Sequence, residues 1–577
     1  MNDAAAVSRK RGRVVSIIVA AALIGCAAQL FNIQIVKGAE LAEQGRAVRT
    51  SSSRPDGPRG TIVDASGQVM VDTVKTYHIA VNQKNITEHR RYEDGKLVGE
   101  GPADAARLLA PILDLDPSEL GGAMLGDSTY RYLAKNVDAT TYREIRRLGI
   151  YGIEWEPSFE RLYPAGSTAA TVLGSVDSEG NGNGGLELVY NEILTGVPGE
   201  ESYEVGPTGA VMPGAKVTTK EPEPGATLHT TLHLDLQHSV EVALDAAVER
   251  YGAQWGAVVI MEVATGRVLV LADSDMEDPS QGPQQSRAVQ MVYEPGSVGK
   301  VLTFATALEQ GAITPYTEFA VPDRYEIDGQ MFKDIHDHET YLRTATGILA
   351  QSSNTGTIMV GSQVSDQDRQ QTFLDMGLGA ITGIQLPGES AGILHDPKDW
   401  DTRTKYTTMF GQGLAITALQ STAMVAAIGN QGVWVPPTIV DGWTDGDGVF
   451  HEQETAAPHQ ALRAEVADTL LLMMESVADQ GGTAGLANVE GYRLAAKTGT
   501  AELIGTGGIV PSLAGVLPAD DPQLAITVVL YDPAVQLSSA ESVAPLFSTV
   551  ATDAVRSLGI APSKGDAQLF PTGKSDS

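Results

Sequence analysis

Between residues 14 and 36 the chain carries no charged side chain, reading VVSIIVAAALIGCAAQLFNIQIV. At 1.5 Å of rise per residue, a helix of this length exceeds the roughly 20 residues needed to cross the hydrocarbon core of a bilayer. RKRGR, residues 9–13, comes directly before it. Basic residues on that side hold an N-terminus in the cytoplasm. A cleaved signal peptide would end in a small-x-small site and then turn polar, whereas here apolar residues run on past Ala28. The expectation is a cytoplasmic tail over residues 1–13 and a single transmembrane signal-anchor helix over residues 14–36.

One rival reading concerns Cys26. LIGC, residues 23–26, has the form of a bacterial lipobox, which would make Cys26 a lipidated N-terminus. The following AAQLFNIQIV is more apolar than the flexible stretch expected after a lipid anchor, so Cys26 is expected inside the bilayer. On either reading the bulk of the protein is tethered outside the cytoplasm. Cys26 is the only cysteine, so no disulfide can form within the chain. The net charge is -32, with no Lys/Arg-rich run beyond the N-terminus, which excludes a nucleic-acid protein.

Residues 37–230 mix short strands and helices with loops such as DSEGNGNGG (177–185), and KEPEPGAT (220–227) reads as a linker. From Gly256 the plan is clearer. GAVVIMEV, a turn at ATG and RVLVLAD predict a β-hairpin. YRLAAKTGTAEL, SLAGVL and LAITVVLYD predict three more strands, and a helix is expected over residues 540–558. A long helical region over residues 297–428 lies between the two groups. The fold class is therefore mixed α/β (α+β): a five-stranded antiparallel sheet built from both ends of a domain at residues 231–560, with an inserted helical lobe. Residues 561–577 are expected to be disordered.

Within that domain EPGSVGK, residues 294–300, opens a segment apolar at Val298, Val301, Leu302, Ala305 and Leu308, one face of a helix. Ser297 and Lys300 are one turn apart, so hydroxyl and amine share a side, as a nucleophile and its base would. Further on come AQSSNTG, with Ser352 and Asn354, and AAKTGTAE, with Lys497, Thr498, Gly499 and Thr500. Ser-x-x-Lys, Ser-x-Asn and Lys-Thr-Gly in this order are the set of penicillin-binding proteins and class A β-lactamases. Each part has a job. Ser352 can relay a proton, the Asn354 amide can donate to a substrate carbonyl and help hold Lys300, and Lys497 with the two threonines can hold a carboxylate. Gly499 lets a substrate approach the strand edge. DIHDHE, residues 334–339, brings His336 and His338 to one side of the chain, but no further ligand set stands at zinc spacing and no metal is expected.

The resemblance is specific: the chain is similar to class B penicillin-binding proteins, monofunctional peptidoglycan transpeptidases. IQIVKGAELAEQG resembles that family's stalk. RGTIVDASG (59–67, with Arg59 and Asp64), RLYPAGSTAATVLG (161–174, with Arg161) and GNGGLE (182–187, with Gly182, Gly185 and Glu187) resemble its three pedestal motifs. LPGESAGIL and FGQGLAITALQ also read like family sequence. The first motif departs at Ala65 and Ser66, where Arg-Asn is usual, and Gly299 stands where relatives carry a bulkier residue. The resemblance implies a mixed, dimerisation-type pedestal over residues 37–230, in which Arg59, Arg161 and Glu187 are structural. It implies attack by Ser297 on the penultimate D-Ala of stem peptides ending in D-Ala-D-Ala, with the N–H groups of Ser297 and Thr500 as oxyanion hole. β-Lactams would be inhibitors, no cofactor would be required, and a SEDS-type membrane glycosyltransferase and other division proteins would be partners. A β-lactamase would need a deacylating base, and no E-x-x-L-N follows Asn354. A sensor or scaffold would have no reason to keep the whole catalytic set. Septal division is favoured over elongation, which stays open.

Overall fold

The computed structural model describes residues 2–204, 217–479, 482–503, 507–567 and 569–573. It divides into two compact units, Met1–Pro58 with Gly196–Pro224, and Arg59–Thr195 with Gly225–Ser577.

In the first unit the helix Asn2–Phe31 continues through the wider turn Asn32–Val36. The stretch Lys10–Val36 is long and apolar enough to cross a membrane, with a mean hydropathy of 2.4. Its large side chains, among them Ile17, Ile18, Leu23 and Ile24, all point outward, as a lone helix in lipid requires. Cys26 is exposed on the same helix. The helix Gly38–Arg49 follows, and Thr50–Ser53, Glu200–Glu204 and Val217–Lys220 form a small antiparallel sheet.

The second unit contains two sheets that matter for the site. The catalytic sheet comprises β1 (Trp255–Glu262), β2 (Val268–Asp273), β3 (Ala495–Glu502), β4 (Ile509–Leu517) and β5 (Leu524–Tyr531), antiparallel throughout in the order β2-β1-β5-β4-β3. Nearly every residue of β1, β4 and β5 is buried, which fits a sheet covered on both faces. Gly515 faces Phe547 of the helix Ser539–Ser557, and its neighbour Val516 faces Gly429 of the helix Ala418–Gly429, so the two helices cover opposite faces. β3, which carries Lys-Thr-Gly, is an edge strand.

The other sheet crosses the boundary expected at residue 230. Pedestal strands Ile62–Val63, Val69–Val81, Arg131–Val137 and Ile153–Leu162 join Thr227–Thr230 and then Val440–Thr444 and Phe450–Glu452 from the catalytic region. Residues 37–230 are accordingly not one compact body: 37–58 and 196–224 belong with the span, and 59–195 with the catalytic domain. The inserted lobe is also less helical than its sequence suggests. Glu318–Val321 pairs Tyr341–Thr344, and Arg324–Ile327 pairs Gln330–Lys333 around a turn in which Asp328 and Gly329 both have positive φ.

The expectation of a disordered tail is corrected for its described part. Ser563 Oγ donates to Asp520 and accepts from the Arg493 N–H (2.8 Å), and Phe570 meets the Tyr316 ring edge-on. Thr344 Oγ1 donates to the Pro571 carbonyl (2.5 Å), and Gly573 bridges to Arg343. A segment rich in Ser, Gly, Lys and Asp is held because Phe570 and a run of backbone bonds give it something to bury and pair. Residues 574–577 lie outside the described residues.

Candidate active site

Three segments converge at the edge strand. The first is the tight turn Gly296–Gly299, from which the helix Lys300–Glu309 continues. Gly499 lies so close under this turn that a Cβ there would run into the Pro295 carbonyl, and one at Gly296 would press on Thr500. Gly299 sits against Gly411 of FGQG, whose own φ of +81° brings it against the Gly296 carbonyl. Glycine at residue 299 thus matches a close backbone approach here, beyond its cost of about 1 kcal/mol in helix propensity.

The second segment is the loop at Ser352. This residue has φ +59°, a left-handed conformation that non-glycine residues adopt at a cost and that clusters at functional sites. Lys300 Nζ donates to the Ser352 carbonyl and lies 3.2 Å from Ser352 Oγ, and Lys497 Nζ lies 3.0 Å from the same Oγ and 2.9 Å from the Thr498 carbonyl. Both lysines have 0% exposure. Burial pushes the Lys300 amine down to about 7, partly opposed by the negative charge of Asp334. Burial pushes Lys497 well below its ordinary value, and repulsion from Lys300 adds to this. Among the described residues Ser297 Oγ makes no side-chain hydrogen bond.

The third segment is β3 itself. Thr500 is exposed on its edge, with Oγ1 2.5 Å from Ser539 Oγ. Thr498 is buried, and its hydroxyl is bonded to Thr483 (2.8 Å) rather than open to the cleft. The Asn354 side chain donates to the Lys333 carbonyl (3.2 Å) and makes no bond to Lys300.

Sequence reading missed Asp334, which it had weighed only as part of a metal cluster. Its buried carboxylate accepts from Ser353 Oγ (2.7 Å), the Asn354 N–H (2.5 Å) and the Thr355 N–H (3.0 Å), with His338 Nε2 at 3.1 Å. It therefore closes the start of the helix Asn354–Gly361 and fixes the loop that presents Ser352. His336 is exposed and makes no side-chain contact to Asp334 among the described residues. Thr483 and Ser539 were missed as well, since no motif marks them.

Two families match. "Penicillin binding protein transpeptidase domain" covers residues 256–552, and "Penicillin-binding Protein dimerisation domain" covers residues 55–230. The chain is 31% identical to the penicillin-binding protein PbpB of Mycolicibacterium smegmatis over 94% of its own length and 89% of that protein's. The chain belongs to the class B penicillin-binding proteins. This penicillin-binding protein is also 29% identical to the peptidoglycan D,D-transpeptidase FtsI of Escherichia coli, over 93% and 90% of the two chains. Among solved structures it superposes on a peptidoglycan synthetase from Bifidobacterium adolescentis with a TM-score of 0.73, at 33% identity over 91% of this chain and all of that one. It superposes on penicillin-binding protein 3 of Mycobacterium tuberculosis complexed with aztreonam with a TM-score of 0.69, at 26% identity over 90% and 99%.

The pedestal residues of this penicillin-binding protein form a separate cluster. Glu187, wholly buried, accepts from Arg59 Nε (2.5 Å) and Arg161 Nε (2.7 Å). Arg161 also reaches the Gly60 carbonyl (2.5 Å) and Thr73 Oγ1 (2.8 Å). Gly182 passes so close to the Glu187 carbonyl that no side chain fits, and Gly185 takes φ +51° beside the Val172 carbonyl. Asp64 is raised by burial, but hydrogen bonds from the Ser66 hydroxyl and from the N–H groups of Leu234, Gln68 and Ser66 outweigh it and hold it below the ordinary carboxylate range. Ser66, one of the two departures in that motif, thus supplies a bond that closes the turn (2.7 Å).

Proposed function

We infer that the protein is a peptidoglycan D,D-transpeptidase of the septal type, joining stem peptides through an acyl-enzyme on Ser297. The observation that carries this reading is one hydroxyl, Ser352 Oγ, held between two fully buried amines in a chain whose relatives include a named D,D-transpeptidase. Lys300, with its amine lowered to about 7, takes the Ser297 proton as Oγ attacks the penultimate D-Ala carbonyl. The N–H groups of Ser297 and Thr500 receive the oxyanion. Ser352 passes a proton toward the leaving nitrogen, the terminal D-Ala departs, and an amine of a neighbouring stem peptide takes the acyl group. Lys497, Thr498 and Thr500 hold the substrate carboxylate, Gly499 admits the peptide to the edge of β3, and Asn354 faces the peptide backbone. Asn354 must release the Lys333 carbonyl to take part. Arg59, Asp64, Arg161, Gly182, Gly185 and Glu187 hold the pedestal together.

The chain crosses the membrane once. Its N-terminus lies in the cytoplasm and its catalytic domain outside, on the strength of RKRGR before the span. A SEDS-type glycosyltransferase that supplies glycan strands is the partner such an enzyme requires. The test is intact mass of the detergent-solubilised full chain after penicillin G. One adduct that maps to Ser297 and is lost in Ser297→Ala is expected; no adduct, or one that Ser297→Ala retains, overturns the reading.

A further inference from the structure

Thr500 stands at the cleft edge of β3, yet its hydroxyl is committed to the body of the domain. Ser539, the first residue of the helix Ser539–Ser557, is 3% exposed. Its Oγ contacts two groups, the Gly499 carbonyl oxygen and Thr500 Oγ1 at 2.5 Å. A hydroxyl carries one proton and two lone pairs, while a carbonyl can only accept. The Ser539 proton therefore goes to Gly499, and the short contact to Thr500 is made by the Thr500 proton donated to Ser539 Oγ. This leaves Thr500 showing lone pairs, and no proton, to the cleft. A carboxylate arriving there needs the opposite, a hydroxyl that donates.

We propose that Ser539 is a positioning residue that holds the Thr500 hydroxyl turned away from the cleft and so weakens this enzyme's preference for ligands bearing a carboxylate. The inference rests on the reading of β3 as the carboxylate-binding edge. When such a ligand binds, Thr500 rotates its proton outward and gives up its bond to Ser539. Ser539 can follow by turning its own proton to Thr500, which leaves the Gly499 carbonyl without that partner. Every route breaks one bond that a ligand without a carboxylate leaves intact.

The experiment compares second-order acylation rates of the full chain by penicillin G and by its methyl ester, which keeps the lactam and blocks the carboxylate. Acylation of wild type by penicillin G at Ser297 is established first; its failure sinks the transpeptidase reading itself. With that in place, Ser539→Ala is expected to raise the acid-to-ester ratio about fivefold while the ester rate stays within about threefold of wild type. Ser539→Thr, which keeps the hydroxyl, is expected to return the ratio to wild type. In a Thr500→Val background, Ser539→Ala is expected to leave the ratio unmoved. An unchanged ratio, or acid and ester rates falling in parallel, overturns the positioning role, as does a Ser539→Thr variant that behaves like Ser539→Ala.

Discussion

A lysine can serve as a base near neutral pH only if its surroundings disfavour the ammonium, and Lys300 is placed so that they do. Its amine has 0% exposure, and burial outweighs the opposing pull of the Asp334 carboxylate. In the proposed mechanism the neutral amine is the active form, and burial lowers it to about 7, so acylation by penicillin should climb as pH rises through about 7 and level off above it. Arginine retains the charge but stays protonated throughout this range. Lys300→Arg should therefore fold, lose the climb, and acylate about a hundredfold to ten-thousandfold more slowly, the usual worth of a positioned base. Stopped-flow acylation across pH 5.5–9 tests this; an arginine variant within about tenfold of wild type would remove Lys300 from the role. The three motifs of the site were legible because the chemistry confines each to one residue type at a short spacing. Asp334 was not, because a carboxylate that caps a helix from 20 residues upstream leaves no local pattern, and in DIHDHE the histidines draw the eye instead.

At the scale of elements, β1, β2 and β5 of the catalytic sheet were readable from nearly continuous apolar runs bounded by turns. The helical lobe also carries a hairpin that the sequence reading passed over, although its IDGQ turn, an Asp-Gly between two short alternating segments, is a hairpin signal of its own. Composition misled at the C-terminus, where a few anchoring contacts outweigh a polar sequence. The last described residues lie against the helix Ala345–Ala350, which leads into Ser352, and Gly347 makes room for the Thr572 carbonyl. Alanine favours a helix over glycine by up to about 1 kcal/mol, so Gly347→Ala suits the helix itself, and the three atoms its methyl group would meet most closely all belong to Thr572 in the tail. Hydrogen exchange should accordingly speed up in peptides spanning residues 569–573 and 341–344 while the helix stays as protected as before. Unaltered exchange in the tail would show that these contacts do not hold it.

Across the whole second unit, the pedestal and the catalytic domain are joined by two carboxylates, Asp273 buried and Glu241 partly so, as well as by a shared sheet. Glu241 accepts from the Ala169 N–H (3.0 Å), and Asp273 from Thr171 Oγ1 (2.9 Å), both donors lying in the second pedestal motif. Burial raises Glu241 to about 7, against the bonds from Gln237 and Ala169, with Asp245 and Asp273 adding repulsion. A carboxyl raised on folding contributes stability below its unfolded value of about 4.5 and loses it as pH rises through about 7. At pH 8 the folded protein bears a penalty of about 3 kcal/mol at this residue. Glu241→Gln should raise the melting temperature by a few degrees at pH 8 and leave it nearly unchanged at pH 5. An equal shift at both values would mean that ionisation of Glu241 is not what strains the junction. The shared sheet itself escaped the sequence because Val440–Thr444 pairs with Thr227–Thr230 across more than 200 residues, and short strands carry no mark of so distant a partner. The strand order has a further consequence, for biosynthesis. Trp255 of β1 pairs with Tyr531 of β5, 276 residues later. At about 5–20 residues per second of synthesis, roughly 15–55 seconds separate the first hairpin from the strand that completes it, and Ser297 is made well before the edge strand it works against. Until nearly the whole chain has been made, the growing polypeptide is blind to both substrate and antibiotic.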